Sequence, residues 1–369
     1  MTQNPGLLLT IAAFLLVLGP LVFVHELGHY LAGRMFGIKA DVFSVGFGRE
    51  IFGVTDKRGT RWKFAWLPLG GYVKFAGDMN PASQPSAEWL QLPPAERAKT
   101  FQSKPIWQRA IVVFAGPFVN FLLAIVILGG FAVAYGESRT PNVAGTVLPD
   151  SAAQKAGLQA GDRITAIDGR QVVYFDDLAR HVSIRPGEST TLTVERGGDT
   201  LTLPATIGER HESDRFGNDY RIGLLGIAPG TPIRVSVPLI EAPVVGIKRT
   251  ASIVTMMVDT LGQVITGRRS VQELGGPIKI AQVAGQQLSL GWTEFVWLVA
   301  MISINLGFIN LLPVPILDGG HLLLYAVEAV RRRPVGPQVQ EWAFRGGLAM
   351  ILALMLLVTF NDLVAGFAG

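Results

Sequence analysis

LLLTIAAFLLVLGPLVFVHELGHYL, running from Leu7 to Leu31, carries no charge through Val24 and then sets His25, Glu26 and His29 at its far end. About 20 helical residues cross a ~30 Å hydrocarbon core, so this run is long enough to span a membrane. Residues four apart share a helix face, which aims both imidazoles at one point and leaves Glu26 beside it. Two neutral nitrogens, a carboxylate and one open position for water describe a catalytic zinc site. Zinc there lowers the pKa of a water toward ~7 and polarises a carbonyl, while Glu26 is placed to take the water's proton. In a soluble helix the same spacing also arises by chance. In an apolar span, ionisable groups lose hydration and are usually functional, which favours the metal reading over incidental histidines.

Three further stretches are long and apolar enough to span, roughly Ile106 to Tyr135, Phe295 to Leu312 and Ala343 to Phe360. The whole chain is 49% hydrophobic and 16% charged, where soluble domains are nearer a quarter charged. With no cysteine, any transition metal must be held by His, Asp or Glu. A formal charge of +4 is too small and dispersed for nucleic-acid binding. Eleven Lys and Arg against six acidic residues fall between Ala32 and Lys104, and Arg331, Arg332 and Arg333 lie between the last two spans. The positive-inside rule makes both connections cytoplasmic and both termini external. No basic residue precedes the first span and no small-residue cleavage site follows it, so it reads as a retained helix.

Between the second and third spans the pattern is that of a folded aqueous domain. Val143–Val147 and Leu192–Val194 favour strands, with turns at Asp168-Gly169 and Gly197-Gly198. The run from Gly145 through Gly157, Gly161-Asp162 and Asp168-Gly169 resembles a PDZ domain, over residues 138–228. Such domains take an extended peptide or a C-terminus on a sheet edge. By that resemblance Ile222, Gly223, Leu224, Leu225 and Gly226 form the ligand loop, placed as in circularly permuted bacterial forms. A β-rich spacer without a ligand is the alternative. Within 229–292, Ile247, Ala251, Val254, Val258, Leu261 and Ile265 predict an amphipathic helix, resting on the outer leaflet or on the PDZ domain.

Residues 36–104 predict β-structure followed by a linker. Phe43, Val45 and Phe47 alternate with other residues, as do Trp62, Phe64 and Trp66 after the turn at Asp56–Gly59, which predicts a hairpin or sheet. Its aromatic face suits the membrane interface, although a plain cytoplasmic hairpin has the same pattern. Residues 80–100 read as a flexible linker.

A third metal ligand is expected from Asn310-Leu-Leu-Pro313-Val-Pro315-Ile-Leu-Asp318-Gly319-Gly320-His321. This motif lies at the cytoplasmic end of the third span, on the same side as His25 and His29. Pro313 and Pro315 break the helix, and irregular backbone at membrane depth needs a protein-lined or watery chamber. Asp318 is the expected ligand and His321 its rival. Asn310 is placed to hydrogen-bond substrate or an oxyanion, or to make an interhelical bond.

Together these motifs resemble the site-2 protease family of intramembrane zinc metalloproteases, over essentially the whole chain, and within it the bacterial regulator-of-sigma-E branch. Glu273-Leu-Gly-Gly-Pro277-Ile adds to that likeness, although there is room for one PDZ domain rather than a tandem pair. The resemblance implies one Zn2+ held by His25, His29 and Asp318, with Glu26 catalytic. It also implies a bacterial inner-membrane location with the active site near the cytoplasmic face. The expected fold is a polytopic α-helical membrane protein: helices at 1–35, 105–136, 293–325 and 343–367, an inserted periplasmic α+β PDZ domain, and a cytoplasmic-side re-entrant β-hairpin. Gly46, Phe47 and Gly48 belong to a β-element that offers an edge to an unwound substrate. Implied partners are single-pass membrane proteins such as trimmed anti-sigma factors or signal-peptide remnants, the lipid bilayer, and a peptide C-terminus at the PDZ domain. Two other readings remain: a PDZ-bearing adaptor with structural zinc, and a metal transporter. A structural site normally fills all four positions with protein, and no polar stripe repeats along the spans.

Overall fold

In the computed structural model, which describes residues 6–77, 92–183, 185–213, 219–266, 276–333 and 335–368, the opening apolar run forms a single helix, α1 (Leu7–Met35). The chain divides into two compact units, Met1–Gly130 with Ile240–Gly369, and Phe131–Leu239. Four described helices are long and apolar enough to cross a membrane: Leu7–Met35, Ile106–Tyr135, Trp292–Asn310 and Gln338–Phe360.

In the first unit, strands β1 (Ala40–Thr55) and β2 (Arg61–Phe75) follow α1. They are too bent for the simple hairpin expected. Residues 50–55 pair antiparallel with 61–65, and 40–45 pair antiparallel with 71–75. The pairs Val42–Arg61, Phe43–Trp62, Ser44–Lys63 and Val45–Phe64 advance together along both strands, so this middle contact is parallel. Two chain segments thus make four sheet positions, in the order 50–55, 61–65, 40–47 and 71–75. The fold-back needs glycine: Gly46 takes φ 93°, and a Cβ there would meet the Ala65 carbonyl oxygen at 2.8 Å. Trp62 stacks on Phe43 with centroids 4.3 Å apart, whereas Phe64 and Trp66 are exposed. One end of the aromatic row is therefore core and the other is surface. Of the expected linker, residues 80–91 lie outside the described residues, and 94–97 form the short helix α2 (Pro94–Arg97).

Helix α3 (Ile106–Tyr135) leads into the second unit. There β3 (Glu137–Arg139) and β4 (Ala144–Val147) precede α4 (Ala152–Lys155), β5 (Arg163–Ile167), β6 (Arg170–Gln171), α5 (Phe175–Ser183), β7 (Ser189–Arg196) and β8 (Asp199–Thr206). The main sheet runs β6-β5-β7-β8. The remaining strands are β9 (Gly208–Ser213), paired with β10 (Asp219–Leu224), then β11 (Ile227–Pro229) on β4 and β12 (Ile233–Val235) on β3. Ile164, Ile167, Leu178, Leu192 and Ile207 form the buried centre. The unit is longer than the expected 138–228, because β12 closes back on β3 and joins its two chain ends. Asp162 takes two 2.7 Å hydrogen bonds from the Arg196 guanidinium, which holds its carboxyl below the usual carboxylate range. A lowered folded-state value favours folding above the unfolded pKa of ~4, and that contribution disappears as pH falls through the folded value. Arg196→Leu is therefore expected to move acid unfolding of this unit to higher pH, read by amide hydrogen exchange.

The chain returns to the first unit with α6 (Ala242–Ile265) and α7 (Pro277–Leu290). Helix α6 forms where expected; part of the expected apolar stripe is exposed, and a second face packs within the unit. Val245 and Thr250 are buried and Ile253, Val254 and Met257 pack on α3 and the next helix, α8 (Trp292–Asn310), while Ile247 and Val258 are exposed. That packed face forms because Gly129 and Gly246 let the α3 and α6 backbones touch at Ala242 and Ile125. Glu273–Gly275 lie outside the described residues. The third span is not one helix over 293–325. It ends at Asn310, and α9 (Asp318–Arg331) starts after a proline-containing turn. The last helix, α10 (Pro337–Ala368), starts six residues before the expected 343.

A buried ion pair fastens α9. The Arg109 guanidinium donates to Glu328 Oε2 at 3.1 Å and lies 4.7 Å over the Tyr325 ring, while the Val335 N–H donates to Glu328 Oε1 at 3.1 Å. Removing one partner strands the other charge in a poorly hydrated place. Glu328→Ala should cost about 3 kcal/mol of stability, measured by denaturant unfolding in detergent.

Candidate metal centre

Helix α1 supplies His25, Glu26 and His29, all buried or nearly so, on a face packed against α3. The two backbones are close. At Gly28 a Cβ would stand 2.5 Å from the Ala115 carbonyl oxygen. At Gly116 a Cβ would occupy the place of the His29 imidazole. Only glycine at both positions permits this approach. Val112, Gly116 and Asn120 recur every four residues and form one face of α3 toward the histidines. His29 Nδ1 lies 2.8 Å from the Val112 carbonyl oxygen, to which it donates, leaving the Nε2 lone pair free. His25 Nδ1 lies 3.0 Å from the Asn120 side-chain amide.

Asp318 comes from the first turn of α9. The proline-containing turn folds tightly over that start, where Cβ atoms at Gly319 and Gly320 would collide with the carbonyls of Leu311 and Val314. Ile316 is held at φ 95°, a region β-branched residues rarely enter, and Pro315 packs against Gly347 of α10. A rigid, backbone-crowded turn thus fixes the carboxylate.

The three donors converge. His25 Nε2 is 3.2 Å from His29 Nε2 and 3.2 Å from Asp318 Oδ2, and His29 Nε2 is 3.5 Å from Asp318 Oδ2. Ligands at about 2.0–2.1 Å on the corners of a tetrahedron stand about 3.3–3.4 Å apart, so the spacing suits zinc. Asp318 Oδ2 is buried and makes no hydrogen bond among the described residues, as a metal-directed oxygen would. His25, His29 and Asp318 form the only group of three or more possible ligands among the described residues. His321, the sequence's rival ligand, is outside that group and packs beside Phe344, with ring centroids 5.1 Å apart.

A cavity of about 470 Å³ adjoins the donors, with Val22, Glu26, Phe47, Tyr72, Asn310 and His321 among its walls. A Cβ at Gly71 would stand 2.9 Å from Glu26 Cγ, which places the 71–75 sheet edge alongside the cavity. Phe47 reaches the wall, whereas Gly46 and Gly48 (φ 87°) shape the bend behind it. In the other unit, Ile222, Gly223 and Leu224 lie in β10 and Leu225 is in the core. Gly223 lies against the Val182 carbonyl of α5, and Gly226 (φ 75°) abuts Ser151. No strand-wide gap separates β10 from α5 at Gly223.

Sequence reasoning missed Val112, Gly116 and Asn120. A signal was present: Gly116-Pro117 and an Asn interrupt an otherwise apolar span, where polar groups usually have a purpose. Val112 acts through its carbonyl, which no side-chain pattern reveals.

The model of Peptidase family M50 matches residues 13–354. A relative from Agrobacterium fabrum, named as a zinc metalloprotease, is 46% identical, the match covering 96% of this chain and 95% of the relative. Metalloprotease MmpA of Caulobacter vibrioides is 37% identical, over 97% of this chain and 96% of its own length. Among solved structures, the PDZ domain of an SdrC-like protein from Listeria monocytogenes aligns at 20% identity with a TM-score of 0.18, over 26% of this chain and 88% of that one. The family match includes α1, the turn before α9 and the converging donors between them, so the chain belongs to the site-2 proteases of Peptidase family M50 and is a zinc-dependent membrane protease.

Proposed function

We propose that this protein hydrolyses a peptide bond in or near the transmembrane segment of a single-pass membrane protein. The observation that carries this is the set of three donors 3.2–3.5 Å apart beside Glu26, in a cavity walled by apolar spans. His25, His29 and Asp318 hold the metal. Zinc bound there supplies a Lewis acid that polarises the scissile carbonyl and acidifies the attacking water. Glu26 takes that water's proton on its carboxylate and passes it to the leaving amide nitrogen. In this reading Asn310, on the cavity wall, donates to the developing oxyanion.

A helical substrate hides its carbonyls in its own hydrogen bonds and must unwind locally before attack. The 71–75 edge can offer replacement backbone partners, which offsets the bonds broken. The basic loops support a metal centre near the cytoplasmic face, in the bacterial inner membrane on this reading. Both termini and the 131–239 unit are then periplasmic. That unit is PDZ-like and controls access by proteins with periplasmic parts, such as anti-sigma factors after a first cut; signal-peptide remnants are the other substrate class. Comparative membrane proteomics of cells carrying wild type or Glu26→Gln should reveal single-pass fragments that accumulate only with the variant. Identical fragment inventories would refute the proposal.

A further inference from the structure

We infer that Asn120 is a positioning residue for the metal centre, and that its side-chain oxygen, not its nitrogen, faces His25. The inference rests on His25 being a zinc ligand, as proposed above. Asn120 is fully buried on α3, and its side chain lies 3.0 Å from His25 Nδ1. With Nδ2 turned to the ring, an N–H points at Nδ1 and drives the ring proton onto Nε2. That proton would then stand among His29 Nε2 and Asp318 Oδ2, each 3.2 Å from His25 Nε2, and would block the lone pair that a metal needs.

Turning the amide over resolves the conflict at the ring. Oδ1 then accepts Nδ1–H, Nε2 offers its lone pair, and the imidazole is locked in orientation. Oxygen and nitrogen of an amide occupy nearly the same space, so the hydrogen-bond network decides between them. Histidine ligands usually donate their second N–H to such an oxygen, which fixes the tautomer and raises ligand basicity.

The two histidines are therefore supported in different ways. His29 relies on the Val112 main-chain carbonyl, which no substitution at that position removes. His25 relies on a side chain that can be changed. The Asn120 backbone carbonyl separately accepts the Ser303 hydroxyl at 2.8 Å, tying α3 to α8, and that bond survives a side-chain change.

The test measures zinc retained by the purified full-length protein in detergent against graded chelator, with the visible spectrum of the cobalt-substituted protein as a second readout. Asn120→Leu keeps the shape and removes the acceptor, so zinc affinity should fall about 10–100-fold. Asn120→Asp offers only acceptor oxygens to the ring and should hold zinc at least as tightly as wild type, with a wild-type-like cobalt spectrum. If the amide merely donated to His25, Asp would put acceptor against acceptor and lose zinc as Leu does. Wild-type zinc affinity in the Leu variant, or Leu-like loss in the Asp variant, would overturn the inference. Should the Leu variant fail to fold, the Asp variant still decides between retention and loss. His25→Ala separates the underlying reading: if it keeps zinc, the ligand assignment fails; if it loses zinc while Asn120→Leu does not, only the role of Asn120 fails.

Discussion

Glu26→Gln is expected to bind zinc as wild type does and to cleave peptide at least about 1,000-fold more slowly. The substitution is nearly isosteric, so the cavity wall should keep its shape. His25, His29 and Asp318 are untouched, which leaves the ligand set complete. What the amide lacks is basicity: it cannot take the proton of the attacking water or return it to the leaving nitrogen. Metal content by elemental analysis and single-turnover cleavage of a lipid-reconstituted substrate measure the two effects separately. Loss of zinc together with activity would make Glu26 a structural element. Normal turnover would remove it from the chemistry.

Gly116→Ala should be nearly as damaging, for a steric reason. The added methyl would collide with the His29 ring at Nε2 and stand 2.9 Å from His25 Cε1, against both ligand rings. Neither neighbour can yield cheaply. The His29 ring is tied to the Val112 carbonyl at 2.8 Å, and α1 already touches α3 backbone to backbone at Gly28. We expect zinc affinity to fall at least about 100-fold, the upper range seen when support for a ligand is lost, and activity to fall with it. Gly130→Ala on the same helix is the control. A Cβ there meets nothing within 4 Å, and alanine favours helix over glycine, so zinc and activity should be unchanged. Equal behaviour of the two variants would show that the close approach at Gly116 is unimportant.

The contrast between these residues explains what could be read from the sequence. Spacing and chemistry along one helix are local, so His25, Glu26 and His29 declared themselves, and Asp318 followed from its motif and from the need for a partner at the same membrane face. The four apolar spans were also legible, because lipid solvation demands about 20 uninterrupted apolar residues. Features that depend on how distant segments meet were not. The alternation of Phe43–Phe47 and Trp62–Trp66 specified strands, but a fold-back about Gly46 gives those strands four sheet positions where a hairpin has two. On α6 the helical period was legible but the face that meets α3 was not, since small residues, not the largest apolar ones, set that crossing. The break between α8 and α9 followed from Pro313 and Pro315, whereas the positive φ of Ile316 and its crowding against α10 were beyond any local pattern.

The most direct test of zinc proteolysis at the membrane is to locate the cut. Purified protein and a single-pass substrate would be reconstituted together in liposomes, and the products sized by mass spectrometry with and without chelator. We expect the cut to fall in or beside the apolar segment, made by wild type, absent with Glu26→Gln, lost on chelation and regained on adding zinc. Cuts confined to the aqueous parts of the substrate, or cleavage that persists without metal, would contradict it.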